Sequence, residues 1–122
     1  MAQQLANYGT SRGQDVTVLA SGALTATGTS SAIDVGGAGT LRAQVQVSAV
    51  SGTTPSVTVT IQTSHDAGAT DAWRTAGSAF SALTSVANSP WQCFAVDRYV
   101  RVSYAVSGTT PSLTTAVVGE AV

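Results

Sequence analysis

A chain of 122 residues holds one domain around one core, because folding at this length removes roughly two-thirds of the unfolded surface from water. Only 9 % of its residues are charged and its net charge is -1, with no lysine, so it lacks the field that draws proteins to phosphate backbones or anionic lipid. Neither nucleic acid nor a membrane is expected as a partner, and no apolar run nears the ~20 residues of a spanning helix. With so little like-charge repulsion, dense packing beside identical or related neighbours is expected.

Residues 1–14 (MAQQLANYGTSRGQ) are polar, carry glycine and show no period. They read as an extended N-terminal arm ahead of a domain over 15–122, with Leu5 and Tyr8 as apolar anchors. No basic stretch precedes an apolar one, so no signal peptide is expected and the protein is expected to be made in a cytoplasm.

From Asp15 onward the texture is β. Short strands are expected over 15–20, around Leu24 and over 33–35, separated by Gly/Ser/Thr clusters. Residues 41–49 (LRAQVQVSA) place Leu41, Ala43, Val45 and Val47 on one face and Arg42, Gln44 and Gln46 on the other, the period of a half-buried strand. Residues 57–63 repeat the alternation with Val57, Val59 and Ile61.

Between these two strands lies VSGTTPS, residues 50–56, and the same heptapeptide returns at 106–112 between strands over 99–105 and 113–119. Gly52 can adopt positive φ, Pro55 fixes φ, and Thr54 before it is pushed toward extended geometry. Each copy therefore reads as a hairpin turn. A hairpin centred on Thr53 sets Val47 opposite Val59 and Val45 opposite Ile61; one centred on Thr109 pairs Val100, Val102 and Tyr104 toward Val118, Ala116 and Thr114. The second hairpin would also carry Tyr99, Ala105, Leu113 and Val117 on its other face, which fits more buried strands, a bulge, or a face that meets another protein. The intervening sequence predicts strands over 72–75 and 91–96, with Phe80 and Leu83 packed under a loop, and no helix anywhere.

Catalytic chemistry finds no constellation. His65 sits in Ser64-His65-Asp66, but adjacent residues do not assemble a triad, which is built from distant segments. Asp66 and Asp71 read as turn-forming carboxylates, since the ligand spacing of a calcium loop is missing. Cys93 reads as a small buried hydrophobe. Trp73 and Trp91 read as core residues in a chain poor in aromatics, the rival being a sugar-stacking platform. No zinc spacing, phosphate-binding loop or cofactor motif occurs, so no cofactor, metal or enzymatic activity is expected.

Ile-Asp-Val-Gly-Gly (33–37), VSGTTPSVTVTIQTS (50–64), the loop ending in Trp73-Arg74-Thr75, Phe80, and DRYVRVSYAVSGTTPSLT (97–114) together resemble small β-sandwich virion proteins of tailed bacteriophages. The similar proteins are encoded among head and tail structural genes, and the likeness covers about residues 33–120. Where their loop reads Ser-x-Asp-Gly-Gly-x-Trp, this chain reads SHDAGATDAW with one glycine fewer, so no loop function is carried over.

The resemblance implies an all-β, single-domain antiparallel β-sandwich of about eight strands, jelly-roll or immunoglobulin-like, with the extended N-terminal arm. It implies a capsid decoration (cement) protein that binds the phage major capsid protein and copies of itself, as a trimer or as a monomer meeting its copies on the lattice. Assembly in the host cytoplasm would place it on the capsid surface of the virion. The expected contact residues are Gln3, Gln4, Leu5 and Tyr8 in the arm and Thr53, Thr54, Thr109 and Thr110 in the heptapeptides. A tail tube or tail-tip component, which would form rings or tubes, and a carbohydrate-binding module with an exposed tryptophan are the alternatives.

Overall fold

Two strands of unusual length organise the molecule. In the computed structural model, which describes residues 14–122, β4 (Thr40–Ser64) runs for 25 residues and β8 (Tyr99–Ala121) for 23, against a usual 5–6 or so. The remaining strands are β1 (Gln14–Leu24), β2 (Gly28–Thr29), β3 (Ile33–Asp34), β5 (Arg74–Thr75), β6 (Ala87–Asn88) and β7 (Gln92–Ala95). All eight join one antiparallel sheet curled on itself, and no helix occurs among the described residues. The all-β, single-domain antiparallel sandwich that the resemblance implies is what the chain forms.

The heptapeptides, however, are not hairpin turns. β4 and β8 pair with each other along their whole lengths, from Leu41 opposite Ala121 to Ser64 opposite Tyr99. Val45 therefore faces Val117 and not Ile61, Val47 faces Thr115 and not Val59, Val59 faces Tyr104 and Ile61 faces Val102. The two VSGTTPS copies lie against each other, with Thr53 opposite Thr109, Ser51 opposite Ser112 and Ser56 opposite Ser107. At this crossing Gly52 (φ 102°) and Gly108 (φ 119°) take backbone that a side chain rarely adopts. A Cβ on Gly52 would stand 2.5 Å from the Thr110 carbonyl oxygen and 2.9 Å from Pro111 Cα; one on Gly108 would stand 2.8 Å from the Thr54 carbonyl oxygen and 3.0 Å from Pro55 Cα. Each glycine thus receives the Thr-Thr-Pro of the other copy, which is why the same seven residues occur twice.

The crossing bends the long ribbon so that one face stays on the core. Val50 and Val106 pack against the core at the start of each heptapeptide, and Val57 and Leu113 are buried just after it. In β8 this odd interval moves the inward set from even to odd positions, with Val100 and Val102 inward before the second copy and Leu113, Thr115 and Val117 after it, whereas in β4 a register shift between Val47 and Ala49 keeps the inward set odd on both sides of the first copy. The inward faces expected at Ala116 and Val118 are outward for this reason, and strands switch layers at such bends.

Flanking strips follow the same rule on both sides. β1, β2 and β3 run antiparallel along β8, from Gln14 opposite Ala121 to Asp34 opposite Tyr99. Residues 74–95 run antiparallel along β4, from Arg74 opposite Thr63, through Leu83 bridged to Val57, to Ala95 opposite Thr40. The pairing is thus nearly two-fold about Thr53 and Thr109.

One core unites both ends of the ribbon: Leu41, Val45, Val47, Val57, Val59, Ile61, Val100, Val102, Leu113 and Val117 are nearly fully buried, with Phe80 and Phe94 beside them. Phe80 is buried as expected, its N–H donating to the Val59 carbonyl at 2.9 Å. The tryptophans and Cys93 are not core residues. Phe94 pairs with Leu41 and takes the inward slot of β7, so alternation turns Cys93 and Trp91 outward, where Cys93 is exposed and Trp91 is 39 % exposed. Trp73 is half-buried.

Candidate protein-binding surface

Four of the residues expected to meet a partner come together at the bend. Thr53 and Thr109 are directly opposite one another, Thr54 and Thr110 flank them, and all four are exposed. Thr54 (φ 48°) and Thr110 (φ 45°) lie in the left-handed region, where a β-branched residue is an outlier that costs roughly 1–3 kcal/mol. In each, the hydroxyl donates to the preceding carbonyl, Thr54 Oγ1 to Thr53 O and Thr110 Oγ1 to Thr109 O, both at 2.8 Å. The result is a stiff, uncharged knuckle of hydroxyls, methyls and glycines, presented twice over by its local two-fold. The sequence nominated these threonines as two separate turns; their meeting could not be read without knowing that β4 pairs with β8.

Gln3, Gln4, Leu5 and Tyr8, the other expected contacts, lie outside the described residues. Gln14, the last residue of the segment read as an arm, opens β1.

The Ser64-His65-Asp66 stretch is committed to loop architecture. Ser64, fully buried, donates from Oγ to the Asp71 carbonyl at 2.6 Å and accepts from Gly68 N at 2.9 Å. Asp66 accepts from Thr70 Oγ1 at 2.6 Å and from the backbone of Thr70 and Asp71 at 3.0 Å. These bonds, the Thr70 hydroxyl first, hold its carboxyl down at about 2. Asp71 accepts from His65 N at 2.7 Å and from Arg74, and these bonds lower its carboxyl as well. Both aspartates thus form the turn, as their spacing implies, and Arg74 ties the loop onward to Asp97. His65 instead lines a shallow surface hollow with Gly36, Gly37, Gly39, Val96, Asp97 and Arg98, whose guanidinium is held 3.0 Å from Asp34.

The tryptophans are stacked on the outside of the sheet. The Arg42 guanidinium sits 4.5 Å from the Trp91 ring centre and also reaches Glu120 at 3.3 Å. Arg101 sits 4.5 Å from the Trp73 ring centre, its Nε donating to Gln62 Oε1 at 2.7 Å. Each guanidinium therefore covers one face of its indole.

The fold has a counterpart among solved structures. It is similar to that in the crystal structure of PBSX exported protein XepA, with a TM-score of 0.58 at 16 % identity, over 89 % of this chain and 37 % of that one. This chain therefore spans little more than a third of that protein's length, and the likeness is one of fold. No family model and no curated relative matches the sequence.

Proposed function

We propose that the chain is a non-enzymatic structural protein of a bacteriophage virion, and within the virion a capsid decoration protein that binds the major capsid protein and stabilises the head. Two lines support the phage setting: the motifs over residues 33–120, and the fold in common with a protein of phage PBSX. The observation that carries the binding surface is the gathering of Thr53, Thr54, Thr109 and Thr110 into one exposed knuckle.

The knuckle has properties suited to protein contact. It is uncharged, so docking strands no ion without a counter-charge, and it is held rigid by its reciprocal glycine fit, so little conformational freedom is lost on binding. Gln3, Gln4, Leu5 and Tyr8 would add a second contact by lying along a neighbouring subunit as extended chain. A ligand that binds only the assembled shell stabilises it by mass action, and many copies multiply a modest contact.

Mixing the purified protein with assembled heads and sedimenting them tests this reading. The intact protein is expected to co-sediment and to raise the temperature at which heads rupture. A chain lacking residues 1–10 should stay folded and lose binding. Light scattering that shows open-ended growth into rings or tubes, with no binding to heads, would move the assignment to the tail.

A further inference from the structure

The curled sheet has two seams, one along each flanking strip, and they are closed to different extents. Along the 74–95 strip, Phe80, bonded beside Val59 in one half of β4, meets Phe94, paired with Leu41 in the other half, with ring centres 5.5 Å apart, and both are buried. Among the described residues no such pair forms along the β1–β3 strip. Thr17, Val18, Leu19 and Ala20 on one side and Thr29, Ser30, Ser31 and Ile33 on the other bound a groove of about 540 Å³.

The near two-fold pairing identifies what is missing. Phe80 bonds to Val59, three residues past the first heptapeptide; the residue three past the second is Thr115, and its partner on β1 is Gly22. Where one strip carries phenylalanine, the other carries glycine. Thr115 is fully buried, so a side chain at Gly22 would project from the same inward face, and a Cβ there meets nothing closer than the Ala20 carbonyl oxygen at 3.9 Å. Val18, Leu19 and Ile33 line the groove and belong to or pack against the core, so the groove opens onto apolar surface.

We propose that this open seam is a docking groove for an extended, uncharged segment of a partner polypeptide, which adds to the free edge of β1 and places one aromatic side chain where Phe80 stands in the opposite seam. Among the described residues β1 pairs only with β8, so its outer backbone groups are available to a further strand. Charge selects the occupant. Among the described residues no charged side chain lines the groove, and residues 16–23 carry none, so an ionised group entering it would lose water with no counter-charge from them, whereas a neutral segment loses nothing of the kind. Such edges are commonly blunted by lysine or proline, and residues 16–23 contain neither. The register shifts at Thr17/Leu19 and Leu19/Gly22 bend this edge and restrict which strands fit. The inference concerns a surface apart from the threonine knuckle and stands whether the virion component served is head or tail.

Isotope-labelled full chain would be titrated with two synthetic peptides: residues 78–84 (SAFSALT), the segment that closes the opposite seam, and the same peptide with Phe80→Ala. Saturable amide shifts confined to residues 17–20 and 29–33 are expected, with binding about tenfold weaker for the alanine peptide. Gly22→Phe, and independently Ala20→Trp, should abolish the response in a chain whose spectrum remains that of a folded protein. Four results would each overturn the proposal: no response, an equal response to both peptides, shifts centred on Val57, Val59 and Phe94, or a response that survives both filled-seam variants. Movement of the seam amides on deleting residues 1–10 without peptide would give the groove to the chain's own N-terminal segment. Movement on concentrating the protein alone would give it to a second copy, and either would also overturn assignment to a partner.

Discussion

The two seams are built on nearly equivalent backbone, each from a strip running antiparallel along one long strand, yet one is closed by Phe80 and Phe94 and the other is a groove between β1 and β2–β3. The difference shows how little backbone pairing dictates about filling. Hydrogen-bond register places a position opposite Val59 and another opposite Thr115; whether the seam closes depends on whether that position carries a ring or a hydrogen atom. The closed strip also departs from regular strand between Thr75 and Ala87, which frees Phe80 to turn inward, whereas β1 stays in strand for eleven residues with two register shifts.

Removing the ring from the closed seam is the most damaging way to make the two alike. Phe80→Ala should lower stability by about 3–5 kcal/mol, because the side chain is buried against Phe94 and its loss leaves a cavity; urea unfolding reads this directly. Disturbing the bend that sets both seams comes next. Gly52→Ala should cost at least ~1–3 kcal/mol, since it combines positive φ with a 2.5 Å approach to the Thr110 carbonyl. Gly108→Ala should behave alike, and the double variant should lose less than the sum of the two in thermal unfolding, because the first change already disrupts the shared fit.

The reverse change is smaller. Gly22→Phe should raise stability by about 1 kcal/mol, from apolar area buried in the open seam and from a less flexible unfolded chain. An unchanged or lower melting temperature would mean that the seams are not interchangeable. The smallest effect is local and acid-dependent. Asp66 has its carboxyl held at about 2, below its ordinary 3.8, so its contribution to the loop that leads into the closed strip is complete above about pH 4 and is lost as pH falls through 2. Amide exchange at Thr70 and Asp71 should accelerate across that window while the amides of β1 do not follow.

Much of the fold was legible in side-chain alternation. The inward positions Leu41, Val45 and Val47, then Val57, Val59 and Ile61, are buried as the period implies. Phe80 was legible as a packed residue, and Asp66 and Asp71 as turn formers, because short polar side chains bonding nearby N–H groups is a local matter. The tryptophans and Cys93 were misplaced. Composition suggests that a chain with few aromatics must bury them, but in β7 Phe94 already holds the inward position and parity sends Trp91 and Cys93 to the outer face. The candidate surface was half legible: Thr53, Thr54, Thr109 and Thr110 stand out because their heptapeptide repeats, but not as neighbours.

By itself, then, the sequence determined a sparsely charged, all-β chain with the inward faces of 41–47, 57–61 and 100–102 assigned, because side-chain period acts over a few residues. Only the tertiary structure decided that the two VSGTTPS segments cross each other. Gly, Thr and Pro in that order suit a hairpin or a bend equally well, and the choice falls to which pairing buries the most valine and isoleucine and lets each glycine receive the other copy's carbonyls. That depends on a segment far away in the chain, which no local reading contains.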